Sequence, residues 1–391
     1  MPAAPPSVAL FLGFDVRIKG GLITMVESFL AALEDLGIRP LCFMPSLTPG
    51  ERLGFGVRSV VEGGRPWLSV GTVPRTPNAA GPLYPAAQLR SLMRGFDLVQ
   101  AVVGGGAWAL PAVMGTRSVA WVATPFEEEL RSRVHAGGAL RKAWLSGLVR
   151  CENAAEGAVL RRCDRVLALS QNTRAVLMRR HHLREDRLGV LYAPIDDRVF
   201  HPAPEACLDE VLVTTSRLDD ERKDIPTLIR AFALVARERP RARLKLLGPW
   251  LPGGPVDRAL SESGLRDRVD TPGLLSRADV AAQLRQSSVF VLSSRQEGLG
   301  IVALEAMACG LPVVALSNGG TDEIITDSGA GTLLQGRDEA ALARAMVALL
   351  TDPGTRERMR QRALGFVQHR ASRQVFAATI AATYQALGLR L

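Results

Sequence analysis

The chain has 391 residues, enough for two domains with a core each. Its 47% apolar and 22% charged make-up is that of a folded water-soluble protein, not of a disordered, fibrous or membrane-spanning chain. Five cysteines (Cys42, Cys151, Cys163, Cys207, Cys309) are scattered, odd in number and lack a C-x-x-C pair. They argue against a disulfide framework or zinc site and for reduced thiols in a cytosol. The start of the chain lacks the basic flank and long apolar core of a signal peptide, so a cytoplasmic location is expected.

The net charge of +9 is uneven. Residues 1–200 carry 24 Lys/Arg against 17 Asp/Glu, and residues 201–391 carry 24 against 22. A basic N-terminal half fits an anionic partner: phosphate, nucleic acid or an anionic membrane face. A generic Arg-rich composition accounts for the same charge without one.

In chain order, Val8–Gly13, Arg39–Met44, Asp97–Val103, Ser118–Ala123, Arg165–Ser170 and Arg187–Tyr192 are predicted strands, with helical patterns such as Leu22–Leu36 and Glu156–Arg162 between them. After a proline-punctuated stretch, Ala193–Pro204, the series restarts with Glu210–Thr215, Leu244–Gly248, Ser288–Leu292 and Pro312–Leu316. Strands alternating with helices imply parallel sheets wrapped by helices. The expected fold is therefore α/β: two doubly wound Rossmann-like domains, residues 1–200 and 201–372, whose ligands bind at the carboxyl ends of the strands in the cleft between them. Phe366–Leu389 is predicted as helix, with residues 373–391 crossing back to the first domain.

Three constellations carry chemistry. The first is Gln296-Glu-Gly-Leu-Gly-Ile-Val-Ala-Leu-Glu305. Glu297 precedes a helix whose free N–H groups and dipole attract anions. Gly298 and Gly300 let backbone approach a ligand, and Gly310 and Pro312 end the segment. Ile301, Leu304 and Ala308 form a core-facing stripe, and Glu305 lies beside it, able to accept two hydrogen bonds from a ribose diol. The plainer reading pairs Glu305 with an Arg in a structural network.

The second is Thr214–Asp224, where Arg217 emerges at a strand's carboxyl edge and Lys223 precedes a helix with Asp224 as cap and Pro226 in its first turn. A guanidinium fork and a point charge suit a pyrophosphate. The plainer reading is surface pairing with Asp219, Asp220 and Glu221. The third is Gly20-Gly21, opening a long helix after a strand, where close approach to phosphate or sugar competes with an ordinary tight turn. No D-x-D occurs, no G-x-G-x-x-G opens a helix, and no His is placed as a metal ligand or triad member. His181-His182 is placed on a solvated helix end, and Trp108, Trp121 and Trp250 could stack sugars, with core packing the plainer reading of each.

Taken in order, these residues resemble the retaining family-four glycosyltransferases of the two-Rossmann (GT-B) architecture. The resemblance rests on the E-x7-E from Glu297 to Glu305 with Ala306-Met-Ala-Cys-Gly310 and Pro312-Val-Val314, and on Gly319-Gly-Thr-Asp-Glu323. It continues in Ser216-Arg-Leu218 with Lys223, Val269-Asp-Thr-Pro-Gly-Leu274, Tyr192–Pro202 and Gly20-Gly21. It implies a nucleotide-diphosphate sugar as co-substrate, no cofactor, no metal and no nucleic-acid partner. It places Arg217 and Lys223 on the donor diphosphate, Glu305 on the ribose and Glu297 on the transferred hexose. Backbone of Leu299, Gly300 and Ile301 would line the donor site, Gly273 and Leu274 would face the base, and Gly20 and Gly21 the phosphates or sugar. The implied catalytic set is Glu297, Arg217 and Lys223. Thr124 stands where the family often has His, Pro194-Ile195 replaces Asn-Gly, and Gly248-Pro-Trp250 lacks a second glycine.

The acceptor, whether glycan, lipid-linked or small molecule, belongs to the N-terminal domain. There Arg131, Arg133, His135, Arg141, Lys142 and Arg150 alternate with Leu140, Trp144, Leu145, Leu148 and Val149, as in a basic helix lying on an anionic membrane. Packing on its own sheet is the plainer reading of that helix. The alternative functions are another two-Rossmann sugar-nucleotide enzyme, such as an epimerase or phosphorylase, and a non-catalytic glycosyltransferase-like subunit.

Overall fold

The computed structural model describes residues 6–14, 16, 21–46, 57–62, 64–70, 86–125, 127, 139–204 and 209–391. The chain forms two compact units, one of Met1–Pro194 with Arg373–Leu391 and one of Ile195–Ser372. The dividing line thus falls six residues before the expected 200/201, where Ile195 pairs with Ser372 and its N–H binds the Ala371 carbonyl at 2.8 Å.

The first unit holds an eight-stranded sheet in the order β3-β4-β2-β1-β5-β6-β7-β8. Its strands are β1 (Val8–Leu12), β2 (Leu41–Pro45), β3 (Val57–Glu62), β4 (Arg65–Val70), β5 (Leu98–Val103), β6 (Ser118–Val122), β7 (Arg165–Ala168) and β8 (Leu188–Val190). Pairing is parallel except for β3 against β4. β1, β5 and β6 are buried along their whole length, as expected of strands covered on both faces. The β3–β4 hairpin was not expected: β3 is exposed nearly throughout and carries no apolar run to read.

Phe29, in the helix Gly21–Asp35, and Phe376, in the helix Arg373–Ala386, pack edge to face at 5.4 Å, and both rings lie against fully buried Trp121 of β6. Arg373 donates to the Asp35 carboxylate at 2.5 and 2.6 Å. These contacts hold the last helix in the first unit. Phe366–Leu389 is not one helix: Pro353–Arg370 ends in the second unit and Arg373–Ala386 begins in the first.

The second unit's sheet is wholly parallel, ordered β11-β10-β9-β12-β13-β14. Its strands are β9 (Val211–Thr215), β10 (Arg243–Leu247), β11 (Val269–Gly273), β12 (Val289–Leu292), β13 (Val313–Leu316) and β14 (Gly331–Leu334). The outermost strands, β11 and β14, were not foreseen. They are only half buried, and β11 contains Pro272. One core packs Leu212, Leu244, Val289 and Val314 of the sheet against Leu228, Phe232 and Val235 of the helix Ile225–Glu238 and Leu342 and Met346 of the helix Glu339–Thr351. The strand order reverses between β9 and β12, where the chain switches from adding strands on one side of β9 to adding them on the other, so the loops after those two parallel strands lie side by side at the point where α/β sheets bind ligands.

His181 is not solvated. It is 3% exposed, and its Nε2 lies 2.9 Å from Glu156 Oε2, while Glu156 Oε1 accepts the Gly106 N–H at 2.6 Å. The helix positions were legible, but the pairing needs residues 25 and 50 apart to meet. Arg131, Arg133 and His135 lie outside the described residues, as do the side chains of Leu140, Arg141, Lys142, Trp144, Leu145 and Leu148. No helix among the described residues is long and apolar enough to cross a membrane.

Candidate functional site

β9 delivers Arg217 and Lys223 through the loop Ser216–Asp224, and β12 delivers Glu297 through the loop Ser293–Gly300. At the junction, Lys223 Nζ lies 2.7 Å from Glu297 Oε1, the two side chains being 17% and 11% exposed. An ammonium has three N–H donors, so Lys223 keeps two for another anion while holding Glu297. Arg217 is far more open, with its side chain 65% exposed, and donates to Asp220 at 2.9 Å. The surface pairing weighed for Arg217 is therefore present. Asp220 also takes Arg222 at 2.7 Å. Burial pushes the Asp220 carboxyl up, but hydrogen bonds and charge from Arg222, its backbone N–H and Arg217 outweigh it and hold it at about 2. Asp219 turns inward to the Leu251 N–H, tying the β9 loop to the one after β10.

Asp224 occupies the residue before the helix but does not cap it with its side chain. Its backbone is left-handed, φ 47°, and its carboxylate instead takes Arg337 at 2.6 Å and Arg295 at 2.9 Å. An Asp tolerates that conformation better than most residues, and a paired carboxylate is not free to turn back onto the helix N–H groups.

The Glu297 loop interlocks with the turn after β13. The Glu297 N–H donates to the Asn318 carbonyl at 3.1 Å, and the Gly320 N–H donates to the Glu297 carbonyl at 3.1 Å. A Cβ on Gly320 would stand 2.5–2.6 Å from the backbone of Glu297, Gly298 and Leu299. Gly300 has φ +82°, and a Cβ there would meet Thr321 Oγ1 at 2.4 Å. Thus Gly320, flagged only as part of a turn in the sequence, fixes the loop that carries Glu297. The helix Ile301–Ala308 then begins with no side-chain cap; the Ala303 and Leu304 N–H groups already donate to the Gly300 carbonyl at 2.8 and 3.3 Å, so an anion can be met only by the N–H groups of Ile301 and Val302 ahead of them. Leu299 is 1% exposed, so only its backbone can serve a ligand.

Glu305 lies one turn into that helix with its side chain 12% exposed, and Arg277 stands 3.6 Å away. The structural Arg partner weighed as the plainer reading exists, at a distance beyond direct hydrogen bonding. Burial pushes the Glu305 carboxyl up to about 7, against the pull of Arg277. Arg277 also sits over the Phe200 ring at 5.2 Å. The helix buries more than the expected stripe: Ala303, Leu304, Ala306, Met307 and Ala308 are all covered, while Ile301 is only partly so. Gly273, φ +78°, ends β11 and its carbonyl accepts the Gly248 N–H at 3.1 Å. Leu274 beyond it is 75% exposed. An open depression of about 530 Å³ beside β10 and β11, lined by Lys245, Asp270, Thr271 and Gln283 among others, contains none of the charged residues above. Gly21 opens its helix, whereas Gly20 lies outside the described residues.

Several buried polar atoms without a hydrogen-bond partner lie in these loops or in the helices next to them: Ser216 Oγ, Asp219 Oδ1, Arg277 Nε, Ser294 Oγ, Gln296 Oε1, Thr321 Oγ1 and Arg337 Nε. Such groups are costly unless satisfied, and these seven all belong to the second unit. Among the described residues no group of acidic, His or Cys side chains is arranged to hold a metal.

Two parallel-sheet α/β units, the second with its charged cluster at the switch point, define the GT-B class of protein. Two family models match in tandem: "Glycosyltransferase Family 4" over residues 19–199 and "Glycosyl transferases group 1" over residues 203–365. The chain belongs to the family-4 glycosyltransferases. It is 29% identical over 227 residues to a D-inositol 3-phosphate glycosyltransferase of Thermobispora bispora, covering 53% of this chain and 52% of that protein. It is 36% identical over 154 residues to a GDP-mannose-dependent alpha-(1-6)-phosphatidylinositol monomannoside mannosyltransferase of Mycolicibacterium smegmatis, covering 37% and 39%. The matches thus span about half the length, or less, of these curated relatives. In fold, the chain is similar to the Anabaena protein HepE in complex with UDP, with a TM-score of 0.75 at 19% identity over 97% of this chain and all of that one.

Proposed function

We propose that this protein is a metal-independent, retaining hexosyltransferase that takes its sugar from a UDP- or GDP-sugar. The observation that carries the reading is the Lys223–Glu297 pair at the sheet's switch point, with the exposed Arg217, paired with Asp220, on the same loop as Lys223. The relatives and the fold support a nucleotide-sugar donor.

In this reading the diphosphate lies over the first turn of the helix Ile301–Ala308, where N–H groups and the dipole favour an anion. Lys223 donates its two remaining protons to the phosphates and Arg217 closes on them from solvent. The free oxygen of Glu297 accepts from a hydroxyl of the hexose, and Glu305 takes the ribose diol. As the bond between the anomeric carbon and the phosphate oxygen breaks, charge gathers on the diphosphate. The acceptor hydroxyl adds to the anomeric carbon from the same face and gives its proton to the departing oxygen. Arg217, Lys223 and the helix N–H groups hold the charge that builds there, and removing one such contact typically costs about 100- to 1000-fold in turnover. Glu297 orients the sugar and moves no proton.

The acceptor is a glycan, a lipid-linked saccharide or a small molecule bound by the first unit, and its basic surface suits a cytoplasmic protein resting on an anionic membrane. Calorimetry with UDP and GDP tests the donor. Binding of at least one, weakened by Lys223→Ala and Glu305→Ala, is expected; folded protein that binds neither would overturn the reading. Anomeric analysis of the product tests the stereochemistry, and net inversion would overturn it.

A further inference from the structure

We infer that Arg337 is a positioning residue that sets the Lys223–Glu297 pair, a role that rests on the transferase reading of that site. Arg337 follows β14 and touches neither Lys223 nor Glu297 through its side chain. Its guanidinium joins the two loops that carry them. Nη2 donates to Asp224 Oδ2 at 2.6 Å and to the Ser293 carbonyl, and Nη1 donates to the Ser294 carbonyl at 3.2 Å. Asp224 is the residue after Lys223, and Ser293 and Ser294 open the loop that ends in Glu297.

The same seam is closed by backbone. Ser293 Oγ donates to the Lys223 carbonyl at 2.8 Å, and the Arg295 N–H donates to the Arg222 carbonyl at 2.7 Å. The planar fork of an arginine spreads its donors over two nitrogens to meet one carboxylate and two carbonyls, whereas a lysine brings its three donors on one atom. Asp224 is 8% exposed and left-handed, so Arg337 and Arg295 also neutralise a carboxylate fixed next to Lys223. Without them that charge competes with Glu297 for the Lys223 ammonium.

The test follows nucleoside-diphosphate release from UDP-glucose and GDP-mannose, which needs no acceptor, in a double-mutant cycle. Arg337→Met is expected to lower kcat roughly 10- to 100-fold, as a slight misplacement of a catalytic group does, with less than about threefold change in KM. Arg337→Lys should recover part of the loss. In a Lys223→Ala background, Arg337→Met should cost less than about threefold more, because the group it positions is gone. Asp224→Asn, which keeps the left-handed turn and removes the charge, gives the same cycle if Arg337→Met does not fold. Equal losses with and without Lys223 would overturn the positioning role alone. A folded wild-type protein that releases nucleotide from neither donor and binds neither UDP nor GDP would overturn the transferase reading, and this role with it.

Discussion

Lys223 Nζ sits 2.7 Å from Glu297 Oε1, joining residues 74 apart in the chain across the point where the strand order of the second sheet reverses. The pair is mostly covered, so each charge depends on the other. Truncating one partner leaves the other uncompensated. Lys223→Ala is expected to lower turnover about 100- to 1000-fold. Steady-state kinetics with the donor in excess decides it; a drop confined to KM would mean that Lys223 only binds.

Arg217 should behave differently because its side chain is 65% exposed. Arg217→Ala is expected to leave the unfolding free energy in urea nearly unchanged, within about 0.5 kcal/mol. It should weaken nucleoside-diphosphate binding by roughly 10- to 100-fold, the worth of a charged hydrogen bond. Calorimetry reads both UDP and GDP, and unaltered affinity would return Arg217 to the surface pair with Asp220.

Glu305 gives a pH signature. Its carboxyl ordinarily titrates near 4.5 and burial raises it to about 7 in the folded protein. Between those values the folded state binds the proton more tightly than the unfolded one, so the contribution is fully present below about 4.5 and lost as pH rises through about 7. Glu305→Gln should therefore be the more stable protein at pH 8, by roughly 1–3 kcal/mol, and near wild type at pH 4.5. Urea unfolding at the two pH values checks the sign, and the same variant should bind nucleotide less tightly.

Gly300→Ala places a methyl 2.4 Å from Thr321 Oγ1 at a backbone φ of +82°. We expect a loss of about 1–3 kcal/mol from strain alone. Thermal unfolding measures it, and nucleotide affinity should fall with it because the first helical turn moves.

Glu156 lies in the first unit, and its two oxygens hold the Gly106 N–H and His181 Nε2. Glu156→Ala leaves both without a partner and should destabilise the protein by about 1–3 kcal/mol. UDP or GDP affinity should stay within about twofold under native conditions, since no group of the second unit is touched. A comparable fall in nucleotide affinity would contradict the placement of the donor site.

Much of the fold was legible. Parallel strands covered on both faces are mostly apolar runs, continuous in Val8–Leu12 and Val313–Leu316 and broken only by Gln100 in Leu98–Val103. The β3–β4 hairpin, β11 and β14 were not, because edge strands that are half exposed lose that contrast. The break at Ala371-Ser372 was missed because helical periodicity runs nearly unbroken across it. Of the site, Arg217, Lys223, Glu297 and Glu305 were each named from local pattern and spacing. Arg277, Arg295 and Arg337 were not, since an arginine in a loop or at a helix start gives no sign of what it will meet.

The sequence alone determined the buried strands, the two-domain α/β class and which carboxylates and cations stand at strand ends, because those follow from periodicities of a few residues. The tertiary structure alone decided the pairings. It joined Lys223 to Glu297, turned Asp224 from a helix cap into a partner for Arg337 and Arg295, buried His181 on Glu156, and set Arg277 beside Glu305. Each is a contact between loops or helices distant in the chain. Its energy depends on sheet order and burial, neither of which a local pattern contains.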